Sequence, residues 1–161
     1  MKEIISPRLT DTIDRAILKI LQANGRISNA DLAARVGLSP AACHKRLKAL
    51  EASGTIRKYV ALLDPKVIGR TQTVFVQITL ESQDAEDLEC FENAIAAHPQ
   101  ILACYLMTGQ YDYLLHVLIR DAEEYEQLHR RVLTRLPKVA RVTSSFAIRQ
   151  VCQTTALPFD G

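Results

Sequence analysis

Residues 28–52 read SNADLAARVGLSPAACHKRLKALEA, and this stretch decides the fold of the N-terminal half. Ser28, followed three positions later by an aspartate, is typical of a helix N-terminus, and Gly37 is placed to end that short helix. The hydroxyl of Ser39 can cap a second helix beginning at Pro40, where a missing N–H costs no hydrogen bond. Two helices joined by a short turn that contains glycine predict a helix-turn-helix with its recognition helix last.

The predicted recognition helix is apolar on one face and cationic elsewhere. Its inward face is Cys43, Leu47 and Leu50. Ala41 and Ala42 are small enough to let the backbone approach base edges and thymine methyl groups. The predicted DNA-binding residues are Ser39, Pro40, Ala41, Ala42, His44, Lys45, Arg46, Lys48, Arg57 and Lys58. A plain three-helix bundle with a solvated basic face is the alternative interpretation.

The segments on either side of this stretch complete the N-terminal domain. Asp11 and Asp14 form a capping-box-like pair before an amphipathic first helix, which stops at Asn24-Gly25. That helix braces the other two. The β-branched and aromatic stretch Ile56–Leu63 predicts a short strand or wing that carries two cations.

Charge is distributed unequally along the chain. Residues 1–70 contain 13 Lys and Arg against 6 Asp and Glu, a net charge of +7, whereas residues 71–161 have a net charge of −5. A basic half joined to an acidic half indicates that only the first binds a polyanion such as double-stranded DNA. The alternative is that this charge distribution arose by chance and forms an ordinary solvated surface.

The second half alternates strand and helix patterns. Apolar periodicity predicts the order β-α-β-β-α-β, which is the ferredoxin-like arrangement. The predicted elements are a strand with Val74, Val76, Ile78 and Leu80 on one face, a helix with Leu88, Phe91 and Ile95 inward, strands at Ile101–Met107 and Tyr113–Ile119, a helix from Asp121 to Leu136, and a strand at Val139–Ile148.

These motifs resemble the Lrp/AsnC family of feast/famine regulators over almost the whole chain. The residues that carry the likeness are Asp11-Thr-Ile-Asp14, Gly25-Arg-Ile-Ser-Asn29, Val36-Gly-Leu-Ser-Pro40, Gly54-Thr-Ile-Arg-Lys-Tyr59, Thr108-Gly109 and Asp112-Tyr-Leu-Leu115. The resemblance implies a DNA-binding transcriptional regulator with a winged helix-turn-helix. It also implies a second domain that binds an effector, often an amino acid, and that forms homodimers assembling into octamers or larger rings.

The resemblance also implies where the effector binds. In the family the pocket lies between subunits near a strand-connecting loop, which here matches Met107, Thr108, Gly109, Gln110 and Asp112, and Ser144 and Ser145 are expected to lie close to it. The N–H groups at Gly109 and the carboxylate of Asp112 could meet the two charged ends of an amino acid. Gly109 and Asp112 could instead simply form a hairpin turn.

The chain is thus predicted to be an α+β protein with no catalytic site, cofactor or metal. The predicted boundaries are 1–63 for the DNA-binding domain, 64–72 for the linker and 73–161 for the ferredoxin-like, ligand-sensing and oligomerising domain. The segment Met1–Asp14 is too charged for a signal peptide and no apolar run could cross a bilayer, so a cytoplasmic protein is expected.

Other functions and the role of the cysteines can also be assessed from the sequence. Ser144, Ser145, His116 and Asp112 include the group types of a nucleophilic enzyme, but no nucleophile elbow, phosphate loop or HExxH motif is present. The four cysteines lack metal-ligand spacing and are predicted to be free buried thiols. An amino-acid sensor whose basic half binds a protein in place of DNA is the alternative function.

Overall fold

The computed structural model describes residues 11–159, so residues 1–10 and the last two residues of the predicted domains lie outside the described part. The chain divides into two compact units. The first combines the stretch up to Leu62 with the segment that begins at Cys152, and the second is Leu63–Val151. These units differ from the predicted domains, because the predicted linker 64–72 groups with the second unit and the C-terminal segment groups with the first.

The first unit contains three helices. They are α1 (Thr12–Ala23), α2 (Asn29–Val36) and α3 (Pro40–Ala52). Each helix has the N-cap that the sequence predicts: the side-chain oxygens of Asp11, Ser28 and Ser39 accept hydrogen bonds from the backbone N–H groups of Asp14, Asp31 and Ala42 at 2.8, 3.1 and 3.3 Å. Gly37 ends α2 in the left-handed conformation, with a φ of 70°.

The core of the first unit is small and lies among the three helices. Its buried residues are Ile17, Leu18, Leu32, Ala33, Cys43 and Leu50. The predicted strand or wing at Ile56–Leu63 forms no β-ladder with any described residue. A strand needs a partner for its backbone N–H and C=O groups, and this chain alone does not supply one.

The second unit is a four-stranded antiparallel sheet with helices packed on one face. Its elements are β1 (Gln72–Leu80), α4 (Ala85–Ile95), β2 (Ile101–Leu106), β3 (Tyr113–Ile119), α5 (Ala122–Arg131), a 3₁₀ turn (Leu133–Arg135) and β4 (Val139–Phe146). The strand order is β2-β3-β1-β4. The predicted ferredoxin-like fold of this unit is therefore confirmed.

The register of the strands assigns each side chain to one of two faces. Val76 pairs with Leu115 on one side and with Ser144 on the other, and Val76 and Leu115 are fully buried beneath the helices. Phe75 pairs with His116 and Ser145 on the opposite face. We call this opposite face, which no described helix covers, the open face of the sheet.

Two predicted elements of the second unit need correction, the second helix and the last strand. The helix predicted to reach Leu136 ends as an α-helix at Arg131, where Val132 leaves helical backbone with a φ of −120°. A 3₁₀ turn follows and ends before Leu136, because Pro137 disfavours helical backbone at the residue before it. The predicted linker is folded into turns, with the N–H of Arg70 donating to the carbonyl of Pro65 at 2.9 Å. The last strand ends at Phe146, two residues early.

The cysteines also differ from the prediction. All four thiols are free, but only Cys43 is buried and Cys104 is partly buried. Cys90 and Cys152 are exposed, so the expectation of buried thiols is wrong for those two. Cys90 lies on the outer surface of α4. The apolar residues of this helix face the sheet, whereas Cys90 does not.

Candidate DNA-binding surface and effector loop

One face of α3 is exposed and basic. Ala41, His44, Lys45 and Lys48 recur at helical spacing and are all exposed, while the buried Cys43 lies on the inward side. We call these four residues the recognition face. Ser39, Pro40 and Ala42 are also exposed, at the start of the same helix. The small residues at this end leave the helix backbone open to a groove of DNA.

The predicted DNA-binding cations have different surroundings. Lys48 forms an exposed ion pair with Glu51 at 3.0 Å. Within residues 11–159, Lys45, Arg57 and Lys58 form no salt bridge. These three cations can therefore approach phosphates without first leaving a carboxylate.

Arg46 lies off the recognition face and ties α3 to α1. Its Nη1 donates to Asp11 at 2.7 Å and to Asp14 at 2.9 Å, and its side chain is 34% exposed. The pKa of Asp11 is lowered by the N–H of Asp14 and by this guanidinium, and the hydrogen bonds to the carboxylates of Asp14 and Asp11 raise the pKa of Arg46. These bonds give Arg46 a bracing role between the two helices.

Asn29 connects α2 to the recognition helix through a contact that the sequence does not predict. Its Nδ2 donates to the carbonyl oxygen of Pro40 at 2.9 Å, and its Oδ1 is buried without a hydrogen-bond partner among the described residues. The contact fixes the first turn of α3 against the first turn of α2.

The predicted effector loop connects β2 to β3. It is closed by a hydrogen bond from the N–H of Met107 to the carbonyl of Asp112 at 2.8 Å. Gly109 has a φ of 125°, which favours glycine, and Thr108 and Gln110 are exposed beside it. The backbone N–H groups of residues 108–111 donate to no acceptor in the described part of the chain. The loop therefore presents a run of free donors.

Asp112 is buried, and its carboxylate is hydrogen-bonded within its own chain. Its carboxylate accepts from the N–H of Leu80 at 2.7 Å and from Nε2 of Gln83 at 2.5 Å, and the residue is 6% exposed. The N–H of Asp112 donates to the carbonyl of Ile78 at 2.9 Å. In one chain, Asp112 therefore holds the loop to β1 and to the segment before α4.

Ser144 and Ser145 point to opposite faces of the sheet. Ser144 is on the helix side, where Tyr125 donates a hydrogen bond to its Oγ. Ser145 is on the open face next to Phe75. Strand β1 lies between β4 and β3, the strand at which the effector loop ends, so one chain does not place these serines beside the loop.

The groups considered for an enzyme are also separated. His116 stacks on Phe75 on the open face, with ring centroids 5.4 Å apart, and burial lowers its pKa. Asp112 is buried at the end of β3, and only one of the two serines shares the face of His116. No nucleophile, base and orienting carboxylate meet here.

Two further features concern metals and membranes. Within residues 11–159, no group of three His, Cys, Asp or Glu side chains is arranged to hold a metal ion. None of the helices in that part of the chain has both the length and the apolar character needed to cross a bilayer.

A helix-turn-helix with an exposed basic recognition face, followed by a ferredoxin-like unit with an open sheet face, defines a class of two-domain transcriptional regulators. Family models agree with this division. Residues 10–57 match a winged helix-turn-helix DNA-binding domain, and residues 73–157 match the Lrp/AsnC ligand-binding domain. The chain belongs to the Lrp/AsnC family and is a DNA-binding transcriptional regulator, not an enzyme.

Individual proteins show the same relationship. An uncharacterised helix-turn-helix regulator of Sinorhizobium fredii is 50% identical over 72% of this chain and 91% of its own length. The leucine-responsive regulatory protein of Haemophilus influenzae is 42% identical over 91% of this chain and 89% of its own. A transcriptional regulator of Neisseria meningitidis, solved as a complex with L-methionine, is 34% identical with a TM-score of 0.87, covering 92% of this chain and 96% of its own.

Proposed function

We propose that this regulator binds a free amino acid at residues Met107–Gln110 and that binding changes how its subunits assemble. The observation that carries the proposal is the run of free backbone N–H groups at residues 108–111. Backbone N–H groups without an acceptor can donate to a carboxylate, which is one end of every amino acid. The L-methionine bound by the Neisseria relative supports a ligand of this class.

The site is completed by a second copy of the chain. An amino acid also needs an acceptor for its ammonium group, and in one chain the carboxylate of Asp112 is already occupied by Leu80 and Gln83. Ser144 and Ser145 lie two strands away. A site with donors from one copy and acceptors from another favours the assembled state, because a ligand shifts an equilibrium toward the state it binds more tightly.

The open face of the sheet is proposed as a surface between copies. It bears large apolar or aromatic side chains, and two of them, Phe75 and Tyr105, are 40% and 57% exposed. Their neighbours on this face are Leu114, His116 and Leu118. Apolar patches of this kind are typical of protein interfaces. We propose a homodimer, with octamers or larger rings formed from dimers.

The proposed operator is double-stranded DNA with two half-sites. One recognition helix reads too few base pairs to select a site, and a two-fold dimer supplies a second. Ala41, Ala42 and His44 are proposed to face the bases, with Ser39 and Pro40 at the helix entry. Lys45, Lys48, Arg57 and Lys58 are proposed to contact phosphates. A regulator of this kind acts on the chromosome, so we place it in the cytoplasm.

A thermal-shift screen against the free amino acids tests the ligand proposal. A ligand at about 100 times its dissociation constant adds roughly 2.7 kcal/mol of apparent stability. The variant Gly109→Ala should abolish the shift, because a Cβ at a φ of 125° is strained and turns the neighbouring N–H groups away, although nothing lies within 4 Å of that Cβ.

Gly69→Ala is the matched control. Gly69 also has a positive φ and open space around its Cβ, but it lies in the turn before β1. The control should keep the ligand-induced shift. An equal shift in the wild type, Gly109→Ala and Gly69→Ala would place the ligand elsewhere.

A further inference from the structure

The C-terminal segment of the chain is part of the DNA-binding unit. The chain passes from the first unit into the second after Leu62, and from Cys152 onward it belongs to the first unit again. The first unit is therefore built from two stretches that are separated by the whole ferredoxin-like unit. The last strand of that unit ends at Phe146, which leaves a short run of residues before the segment returns.

A glutamine on α1 holds this segment by its backbone. Nε2 of Gln22 donates to the carbonyl of Leu157 at 3.1 Å, and Oε1 of Gln22 accepts from the N–H of Leu157 at 2.6 Å. One side-chain amide thus satisfies both backbone groups of one residue, as a neighbouring β-strand would. These two hydrogen bonds do not depend on the Leu157 side chain, which is largely exposed.

An aromatic ring provides the second contact. Phe159 is partly buried and packs against the hydrophobic core of the first unit. Ahead of these contacts, the N–H of Ala156 donates to Oγ1 of Thr154 at 3.1 Å and turns the segment. We call residues 156–159 the C-terminal anchor. The anchor is held by two hydrogen bonds to its backbone and by one apolar contact. Because these contacts are few, it can dissociate while the three helices stay folded.

We propose that the surface of α1 around Gln22 is a docking site for the C-terminal anchor, and that the docked anchor is a second tether which restricts the DNA-binding unit. A unit attached through one stretch of chain can rotate about that stretch. A second attachment closes a loop and removes part of this freedom. In a dimer, less rotation means that the two recognition helices accept a narrower range of half-site spacings. This consequence rests on the dimer proposed above.

Amide hydrogen exchange on the full chain tests whether the anchor is docked. Gln22→Ala and Phe159→Ala should each speed exchange at the C-terminal turn of α1 by about fivefold, the factor that corresponds to roughly 1 kcal/mol. Gln153→Ala changes an exposed residue of the same segment and should have no effect. The amides of α3 serve as the internal reference, because they stay slow unless the whole unit is destabilised. Unchanged exchange at α1 in both variants would overturn the docking.

Operators with altered spacing test the tether. The measured quantity is the ratio of affinities for the natural operator and for one lengthened by about half a helical turn, roughly 5 base pairs. The wild type should favour natural spacing, and Gln22→Ala and Phe159→Ala should reduce that ratio by about fivefold or more, with affinity for an isolated half-site unchanged.

The outcomes separate the tether from the dimer. If the wild type discriminates between the spacings and both variants discriminate as strongly, the tether is refuted and the dimer stands. If the wild type binds both operators equally and more tightly than an isolated half-site, the tether is refuted and the dimer stands, whereas affinities no higher than that for an isolated half-site contradict the two-fold binding itself. If the variants lose affinity for an isolated half-site by the same factor as for the natural operator, the anchor acts on the DNA-binding unit as a whole. The tether is then likewise refuted.

Discussion

The two units of this regulator are held together in different ways. The DNA-binding unit has six buried core residues and relies on capped helix ends and on the Arg46 bridge between α1 and α3. The ferredoxin-like unit has thirteen, arranged on one face of a sheet in which β1 pairs with two strands that are distant from it in sequence, β3 and β4. Helix caps and the Arg46 bridge support the small core of the first unit, whereas the second unit depends mainly on its larger core. Changes at helix ends should therefore affect the first unit most, and core truncations the second.

The largest effect is expected from truncation of the sheet core. Phe91 is fully buried, and its ring centroid lies 4.5 Å from that of Tyr113. Phe91→Ala should destabilise the ferredoxin-like unit by about 3–5 kcal/mol, because it removes buried apolar area and leaves a cavity. Denaturant unfolding followed by circular dichroism measures the change. Glu89→Ala, an exposed change on the same helix, is the control. If Phe91→Ala destabilises the unit by no more than an ordinary surface substitution, the core is not the main source of stability.

A second, smaller effect concerns the buried carboxylate beneath the effector loop. Asp112→Ala should cost about 1–3 kcal/mol, because the buried N–H of Leu80 loses its acceptor. Asp112→Asn keeps an acceptor oxygen and should restore much of that stability. Melting temperatures of the two variants without ligand provide the measurement. Equal stability of wild type and Asp112→Ala would mean that this carboxylate does not hold the loop.

The two units also differ in how far the sequence predicts them. The three N-caps, Gly37 and the inward face of α3 follow from residues at most four positions apart, and the structure confirms them. The contact from Asn29 to Pro40 joins two helices across a turn, and no local spacing indicates it.

In the ferredoxin-like unit, periodicity predicts the elements and their order but not how their side chains meet. The partners of Asp112 depend on the packing of three segments, and Ser144 and Ser145 are assigned to faces only by the register with β1. The return of the C-terminal segment to the first unit is a contact between residues 135 positions apart. Nothing in the composition of the segment indicates that contact.

In the DNA-binding unit, loss of one cap should cost less than loss of a core side chain. Ser39→Ala should destabilise that unit by about 1 kcal/mol, because the N–H of Ala42 at the start of α3 loses its acceptor. Ser39→Asn keeps a capping oxygen and should cost little. Thermal unfolding of both variants measures the difference. A Ser39→Ala protein that melts like Ser39→Asn would show that the cap does not stabilise α3.

The smallest expected effect is a dependence of stability on pH. Burial opposes ionisation of Glu124, but the N–H of Arg120 and the guanidiniums of Arg70 and Arg120 outweigh it and lower the pKa of this carboxyl. A lowered folded-state pKa contributes stability above the ordinary glutamate pKa, and that contribution is lost as the pH falls through the folded-state pKa. Glu124→Gln should therefore be less stable than wild type near neutral pH, with the gap narrowing in acid. A gap independent of pH would contradict the ion pairing.

The most direct test of the account is the salt dependence of DNA binding by the recognition face. Lys45 is exposed on α3 and forms no salt bridge in residues 11–159, so its charge is available to a phosphate. The measurement is fluorescence anisotropy on DNA from upstream of the regulator's own gene, over a series of salt concentrations. For Lys45→Ala, the slope of log affinity against log salt should be shallower than that of wild type by about one. Parallel lines with equal affinities would contradict the assignment of this face of α3 to DNA.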